Sequence, residues 1–254
     1  MKNDGSGESI ATKSRWKSPD KFFPIAIDNF FENPEAIVKY GKSLRFQSTG
    51  RHPGTRTQPL WNTDQALHNA ILQKVLSCYY DLDYISIEWE SSNMEFTEIP
   101  RYAKDKNDVR NKGWIHQDVD ILGNDDLAGL IYLTPDIDPD SGTSLWSLKP
   151  DAKIIINAEE EGSTPGQGEE YVKQYLKQRE NLVEKFRFQN FFNRMIMYDT
   201  NEFHGANSYW NDDGKDPRLT LLFFIAGIRS SSNYPLKRIK SSEFENVINA
   251  RTTI

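Results

Sequence analysis

Apolar positions in this chain recur with two periods, and each predicts a different element. Near the start, Asn33-Pro-Glu can open a helix carrying Ile37, Val38 and Tyr40, because proline is tolerated in a first helical turn and asparagine caps it. A second helix is expected after Asn62-Thr-Asp, with Leu67, Ile71, Leu72, Val75 and Leu76 at helical spacing. The rest reads as short strands: Phe22 to Ile27, then about 83–89, 92–98, 127–133, 143–147, 153–157, 187–199 and 218–226. Six to eight strands without alternating helices imply an antiparallel barrel or jelly roll rather than a parallel sheet. The two helices are expected to buttress one sheet.

One stretch breaks the pattern. Residues 158–168 are rich in Glu, Gly, Ser and Pro, and Glu169 to Arg187 places Val172, Tyr175, Leu176, Leu182 and Val183 on a helical period. A connection this long is uncommon unless it folds or serves a purpose, so 158–186 reads as an insertion. It is either a helix packed on the exterior or a cover over the active-site mouth. Residues 1–18 are polar and are expected to be a disordered tail. The expected organisation is therefore one catalytic domain over 19–254, in which 19–87 supply helical support, 88–228 form the core and 229–254 extend it.

Composition narrows the class. With 254 residues and 37% hydrophobic content, the chain can bury one large core. A single cysteine, Cys78, excludes an intrachain disulfide and suggests a reducing compartment. No apolar stretch approaches the roughly 20 residues that cross a bilayer, and the first residues lack the apolar core of a signal peptide, so a cytoplasmic protein is expected. A net charge of −6 argues against broad nucleic-acid binding, which rests on clustered Lys and Arg. Two local basic groups, Arg45/Arg51/His52/Arg56 and Arg101/Lys104/Lys106/Arg110/Lys112, read as solvated loops, the second with Asp105 and Asp108 interspersed. Nucleophile motifs are missing: Cys78 has no adjacent histidine, and no Gly-x-Ser-x-Gly, phosphate-loop or dinucleotide fingerprint occurs.

What remains is a metal pattern. In Gly-Trp-Ile-His-Gln-Asp, His116 and Asp118 are two apart, and residues i and i+2 of an extended segment face one side. Both can meet one ion from a single strand end. A third ligand, His204, lies in Glu-Phe-His-Gly beyond the apolar run Arg194 to Asp199 and is read as closing that late strand. Two imidazoles and one carboxylate occupy one face of a six-coordinate ferrous ion and leave the other positions open. Arg218 then opens the last strongly apolar run. A guanidinium at the start of a buried strand needs an anion, and its fork matches a carboxylate.

On His116-Gln-Asp118, the strand Leu127 to Leu133, the turn Ser141-Gly-Thr-Ser-Leu-Trp146, the strand into His204, and Arg218-Leu-Thr220, the chain resembles the Fe(II)/2-oxoglutarate-dependent dioxygenases, with closest likeness to the prolyl-hydroxylase-like branch. The likeness spans about 88–228. It implies a mainly β fold with flanking helices, an α+β double-stranded β-helix (jelly roll, cupin-like barrel). It implies Fe(II) on His116, Asp118 and His204, with 2-oxoglutarate and O₂ as co-substrates. The distal carboxylate of 2-oxoglutarate would lie on Arg218, with Tyr132 donating a hydrogen bond to it and the Thr220 hydroxyl close by. The implied reaction decarboxylates 2-oxoglutarate to succinate and CO₂ and hydroxylates an unactivated C–H. Because Asp118 fills the position that halogenating relatives leave to chloride, hydroxylation is the implied outcome.

Trp114, Trp146 and Arg101 are candidate substrate contacts. Against each stands a plainer structural role, as barrel core for the tryptophans and solvated loop for the arginine. His52 reads as an exposed loop residue, His68 as a satisfied surface or boundary residue, and Gln117 as pointing away from the ligands. The expected substrate is a prolyl or other residue of a peptide or protein, or a free amino acid. Two other readings stay open: a cupin-type oxygenase or isomerase without 2-oxoglutarate, and a metal-stabilised jelly roll that only binds.

Overall fold

A computed structural model of the chain describes residues 22–48, 52–83, 85–118, 125–152, 168–211 and 217–231. The expected tail over 1–18, the strand at 153–157, the loop over 158–167 and nearly all of the C-terminal extension lie outside the described residues. In chain order the elements are β1 (Ile25–Ile27), α1 (Pro34–Ser43), β2 (Thr55–Arg56), α2 (Leu60–Thr63), α3 (Gln65–Leu76), β3 (Ile87–Glu88), β4 (Ser91–Ile99), β5 (Asp125–Tyr132), β6 (Thr143–Leu148), α4 (Gly168–Glu180), β7 (Leu182–Phe188), β8 (Met195–Asp199), β9 (Phe203–Ala206), β10 (Arg218–Ala226) and β11 (Arg229–Ser230). The protein is thus mainly β with a few helices. No described helix is long and apolar enough to cross a membrane.

Strand β10 organises the larger sheet, whose order is β1-β8-β5-β10-β4-β2, with every pairing antiparallel. A smaller sheet runs β7-β6-β9 and is prolonged by an antiparallel bridge between His116 and His204. The register makes the two faces of the larger sheet differ. Leu219, Leu221, Phe223 and Ile225 of β10, with Met94, Phe96, Leu127, Ile131, Met195 and Met197 of its neighbours, join Ile71, Leu72, Val75 and Leu76 of α3 in the main core. The opposite face carries Ala128, Leu130, Tyr132, Ile196 and Tyr198, which meet Leu145 and Phe188 of the smaller sheet. Helices cover one face, and the second sheet covers the other.

Helices α1 and α3 begin where the caps require. Asn33 Oδ1 accepts from the Ala36 amide at 3.1 Å and Asp64 Oδ1 from that of Leu67 at 3.0 Å, each satisfying an amide the helix itself cannot bond.

Four expectations change. The run 187–199 is not one strand, because the chain turns between β7 and β8, with Asn193 at a φ of 62° and its side chain bonded to the backbone of Phe31. Leu182 and Val183 are not helical: α4 ends at Glu180 and both begin β7, where β6 supplies the partner that overrides their helical spacing. His204 does not close β8. That strand ends at Asp199, whose Oδ1 accepts from the Asn201 amide at 3.0 Å, and His204 falls inside β9 in the other sheet. His68 is buried rather than superficial, satisfied by Ser92 Oγ at 3.1 Å and Asn69 Oδ1 at 3.2 Å.

Candidate metal centre

The segment 113–118 runs beside β9. Two glycines permit the approach: a Cβ on Gly205 would lie 2.9 Å from the Trp114 carbonyl oxygen, and one on Gly113 would lie 2.7 Å from the Ala206 amide. Reciprocal backbone bonds between His116 and His204, at 3.0 and 2.8 Å, fix the two histidines opposite each other. Asp118 is held by its own amide, which donates to the Thr200 carbonyl at 3.1 Å.

Three side chains then converge. One donor atom from each of His116, Asp118 and His204 lies within 4.8 Å of the others. His116 Nε2 is 3.3 Å from Asp118 Oδ1, and His204 Nε2 is 3.1 Å from Asp118 Oδ2. In each ring Nδ1 faces a backbone carbonyl at 3.0 Å, that of Trp114 for His116 and that of Glu202 for His204. A carbonyl only accepts, so Nδ1 carries a proton in each ring, and Nε2 is the nitrogen turned toward Asp118, donating to the carboxylate when protonated and free to ligate a metal when not. Backbone partners of this kind set the tautomer and orientation of ligating histidines. Burial opposes ionisation of Asp118, but His204 and His116 outweigh it and hold the carboxyl well below its usual range. With the Nε2 protons lost to make room for a metal, the donor set becomes two imidazoles and a carboxylate, which suits a divalent first-row ion. The buried Tyr198 ring lies against His204, centroids 4.6 Å apart and planes inclined at 44°.

Arg218 is 3% exposed. Its Nη1 donates to the carbonyls of Ser141 and Ser208, both at 2.8 Å, and its carbon lies 5.3 Å from the centre of the Tyr132 ring. Among the described residues it has no carboxylate partner, and its Nε is buried without an acceptor. Burial lowers its pKa, opposed by Tyr132 and Tyr209. A desolvated guanidinium with an unused donor is costly unless something binds it. Thr220 sits directly opposite Tyr132 in the ladder, and the Tyr132 hydroxyl donates to Thr143 Oγ1 at 3.0 Å.

The remaining candidates scatter. Trp114 packs edge-on against Tyr175 of α4, Trp146 lies under the guanidinium of Arg179, 4.3 Å away, and Arg101 is exposed with its carbon 4.9 Å from the Trp210 ring. Gln117 turns away from the ligands and donates to the Asn201 carbonyl at 2.5 Å. His52 is exposed and lies outside the cluster of possible ligands.

Two contributions were not anticipated. Gln178 of α4 donates to the Ile115 carbonyl at 2.5 Å and accepts from the Ile115 amide at 3.3 Å, so its amide acts as a missing strand partner for the ligand segment. No periodicity reveals a glutamine that bonds backbone in another element. Arg56, placed by sequence in a solvated basic group, instead points inward with its side chain 15% exposed. Pairing of β2 with β4 turns it.

The chain belongs to a family described as a family of unknown function, DUF6445, whose profile matches residues 20–225. No curated protein matches. Among solved structures, HygX from Streptomyces hygroscopicus, with nickel and 2-oxoglutarate bound, is 13% identical with a TM-score of 0.48, over 80% of this chain and 82% of its own. A Pseudomonas putida prolyl-4-hydroxylase is 14% identical with a TM-score of 0.45, over 80% and 91%. A Trichoplax adhaerens prolyl hydroxylase, solved with a hypoxia-inducible-factor peptide, is 11% identical with a TM-score of 0.44, over 80% and 83%.

Proposed function

We propose that this protein is an Fe(II)- and 2-oxoglutarate-dependent oxygenase on a double-stranded β-helix, hydroxylating an unactivated C–H of an amino acid, peptide or protein. One juxtaposition carries the reading: a His-Asp-His cluster whose imidazoles are preset to bind metal, in a fold that also buries an arginine lacking an anion. His116, Asp118 and His204 would hold Fe(II), and the bound iron would supply activation of O₂ coupled to oxidative decarboxylation of 2-oxoglutarate. Arg218 would take the distal carboxylate with Nε and its free fork. Tyr132 flanks that position from β5, and Thr220 from β10. The inner apolar residues Leu130, Ile196 and Tyr198 exclude water around the reacting groups. Without 2-oxoglutarate or a similar anion, the buried charge of Arg218 has no counterpart, which weighs against a cupin-type oxygenase.

Anaerobic reconstitution with Fe(II), followed by succinate production from 2-oxoglutarate, tests the reading. His116→Ala and His204→Ala are each expected to abolish iron retention and succinate formation. Full iron stoichiometry in either variant would remove that histidine from the ligand set, and wild-type protein that takes up neither iron nor 2-oxoglutarate would end the proposal.

A further inference from the structure

Inward positions on β5, β8 and the later part of β10 are apolar, but those on β4 are not. Its outward residues, Met94 and Phe96, are fully buried in the core. The inward ones are Asn93, Glu95 and Thr97, cross-strand from Phe224, Leu222 and Thr220 of β10. Beyond Thr97, Arg56 of β2 completes the row, its backbone fixed on the far side by two bonds with Gln47 at 2.8 and 2.9 Å.

These residues are incompletely satisfied. Asn93 Nδ2 donates to Glu95 Oε1 at 2.7 Å, and Glu95 Oε2 lies only loosely, at 3.6 Å, from Arg56 Nη1. Asn93 Oδ1, Thr97 Oγ1 and Arg56 Nε are buried without partners, and Thr97 is 1% exposed. A fold does not keep three such atoms on adjoining strands for stability, since each unmade bond costs about 1–3 kcal/mol. They are buried donors and acceptors for which the described residues supply no partner. Their position relative to the site follows from register: Arg56, Thr97, Thr220 and Tyr132 form one cross-strand row on this face. Leu222 and Phe224 across from them are only partly buried despite lying in a central strand, so this face is less tightly covered than the helix side.

We propose that Arg56, Glu95 and Asn93 form the substrate subsite, and that its ligand is a free amino acid held by both ends of its zwitterion. The carboxylate takes Arg56 Nε and the free edge of the fork, while the ammonium donates to Asn93 Oδ1 and Glu95. The row offers a cation at one end and acceptors at the other, with no net formal charge between Arg56 and Glu95. A zwitterion complements both ends at once. A blocked peptide supplies neither charge, and an anion alone leaves Asn93 and Glu95 without a donor. Successive inward residues on a strand are about 7 Å apart, which matches a small head group rather than an extended chain. The side chain of the bound amino acid is then the part presented to the metal centre. This assignment rests on the oxygenase reading for its chemistry but not for its binding.

The test is ligand-observed NMR on the full chain with the twenty free L-amino acids, and with each as its N-acetyl, N-methylamide derivative, in the absence of metal and again with Mn(II). At least one free amino acid is expected to bind and its blocked form to fail. Arg56→Gln and Glu95→Gln should each weaken binding about tenfold or more, the range for a lost hydrogen bond to a charged group. Asn93→Ala, which removes no charge, should weaken it several-fold and serves where a charge substitution disturbs folding. No binding by any free amino acid, equal binding of blocked forms, or unchanged binding in the variants overturns the assignment. Because the first arm contains no metal, a protein that fails to take up iron while still binding an amino acid through Arg56 refutes the oxygenase reading and leaves the subsite standing.

Discussion

The two faces of the six-stranded sheet are built from alternate residues of the same strands, yet they meet different demands. The helix-side face is Leu219, Leu221, Phe223 and Ile225 on β10, each no more than 2% exposed. The opposite face of that strand is Arg218, Thr220, Leu222 and Phe224, and it continues sideways into Thr97, Glu95 and Asn93. One face excludes water by close packing, where a missing methyl leaves a cavity. The other tolerates a buried cation, orphaned polar atoms and partly open apolar side chains. Local rules broken without local compensation are characteristic of functional surfaces, and among the described residues of β4 and β10 they are broken on the inward face.

Removing a large side chain from the packed face should have the greatest effect. Phe223 is fully buried and fits against Gly129, where a Cβ would come within 2.3 Å of its ring. Phe223→Ala is expected to lower the unfolding free energy by about 3–5 kcal/mol, measured by urea denaturation, while folded protein keeps its iron stoichiometry. A loss of iron binding matching the loss of stability would show that the faces are not separable.

Arg218→Ala probes the other side. Losing a desolvated charge contact costs about 2–5 kcal/mol of binding, so the 2-oxoglutarate requirement should rise at least tenfold with metal binding intact. Removing the guanidinium also leaves the Ser141 and Ser208 carbonyls without their donor, so a loss of about 1–3 kcal/mol of unfolding stability is expected alongside, read separately by urea denaturation. An unchanged 2-oxoglutarate titration would place the anion anchor elsewhere.

Gln178→Ala tests whether the insertion helix is joined to the ligand segment. Groups that orient metal ligands typically contribute 10–100-fold in metal affinity. A loss of about tenfold for Co(II) is expected, with faster hydrogen exchange at the Ile115 amide, and Gln178→Glu should restore only part of it. Metal affinity equal to wild type would make α4 a passive cover.

The smallest effect should come from the rim. Arg194 grips Asp28 through two guanidinium nitrogens, at 2.5 and 2.9 Å, and this pairing holds the Asp28 carboxyl below its usual range against a smaller opposing effect of burial. A carboxyl lowered in the folded state stabilises above its unfolded pKa, and that contribution is lost as pH falls toward the folded value. Asp28→Asn should therefore cost less than about 1 kcal/mol at pH 7, as expected of an exposed pair. The difference from wild type should shrink as pH falls through the usual carboxylate range and vanish once pH lies below the lowered folded-state value. A penalty that persists there would point to packing instead of charge.

Much of this molecule is legible in its sequence because short-range physics sets it. Caps at Asn33 and Asp64, the helical spacing of Leu67 to Leu76, and alternation along 218–226 each depend on neighbours a few residues away. The His-x-Asp pair is legible for the same reason, since two residues apart on an extended segment share a side. Tertiary structure decided the rest. His204 reaches the centre from a strand in the second sheet because β9 pairs with the 113–118 segment. Gln178 bonds Ile115 only because α4 packs there, and Leu182 becomes strand only because β6 lies beside it. Alternation in Asn93-Met-Glu-Phe-Thr97 fixes that polar and apolar residues face opposite ways, but not whether the polar side meets bulk water or an enclosed space. That choice depends on which sheet lies across from β4, a contact between residues far apart in the chain.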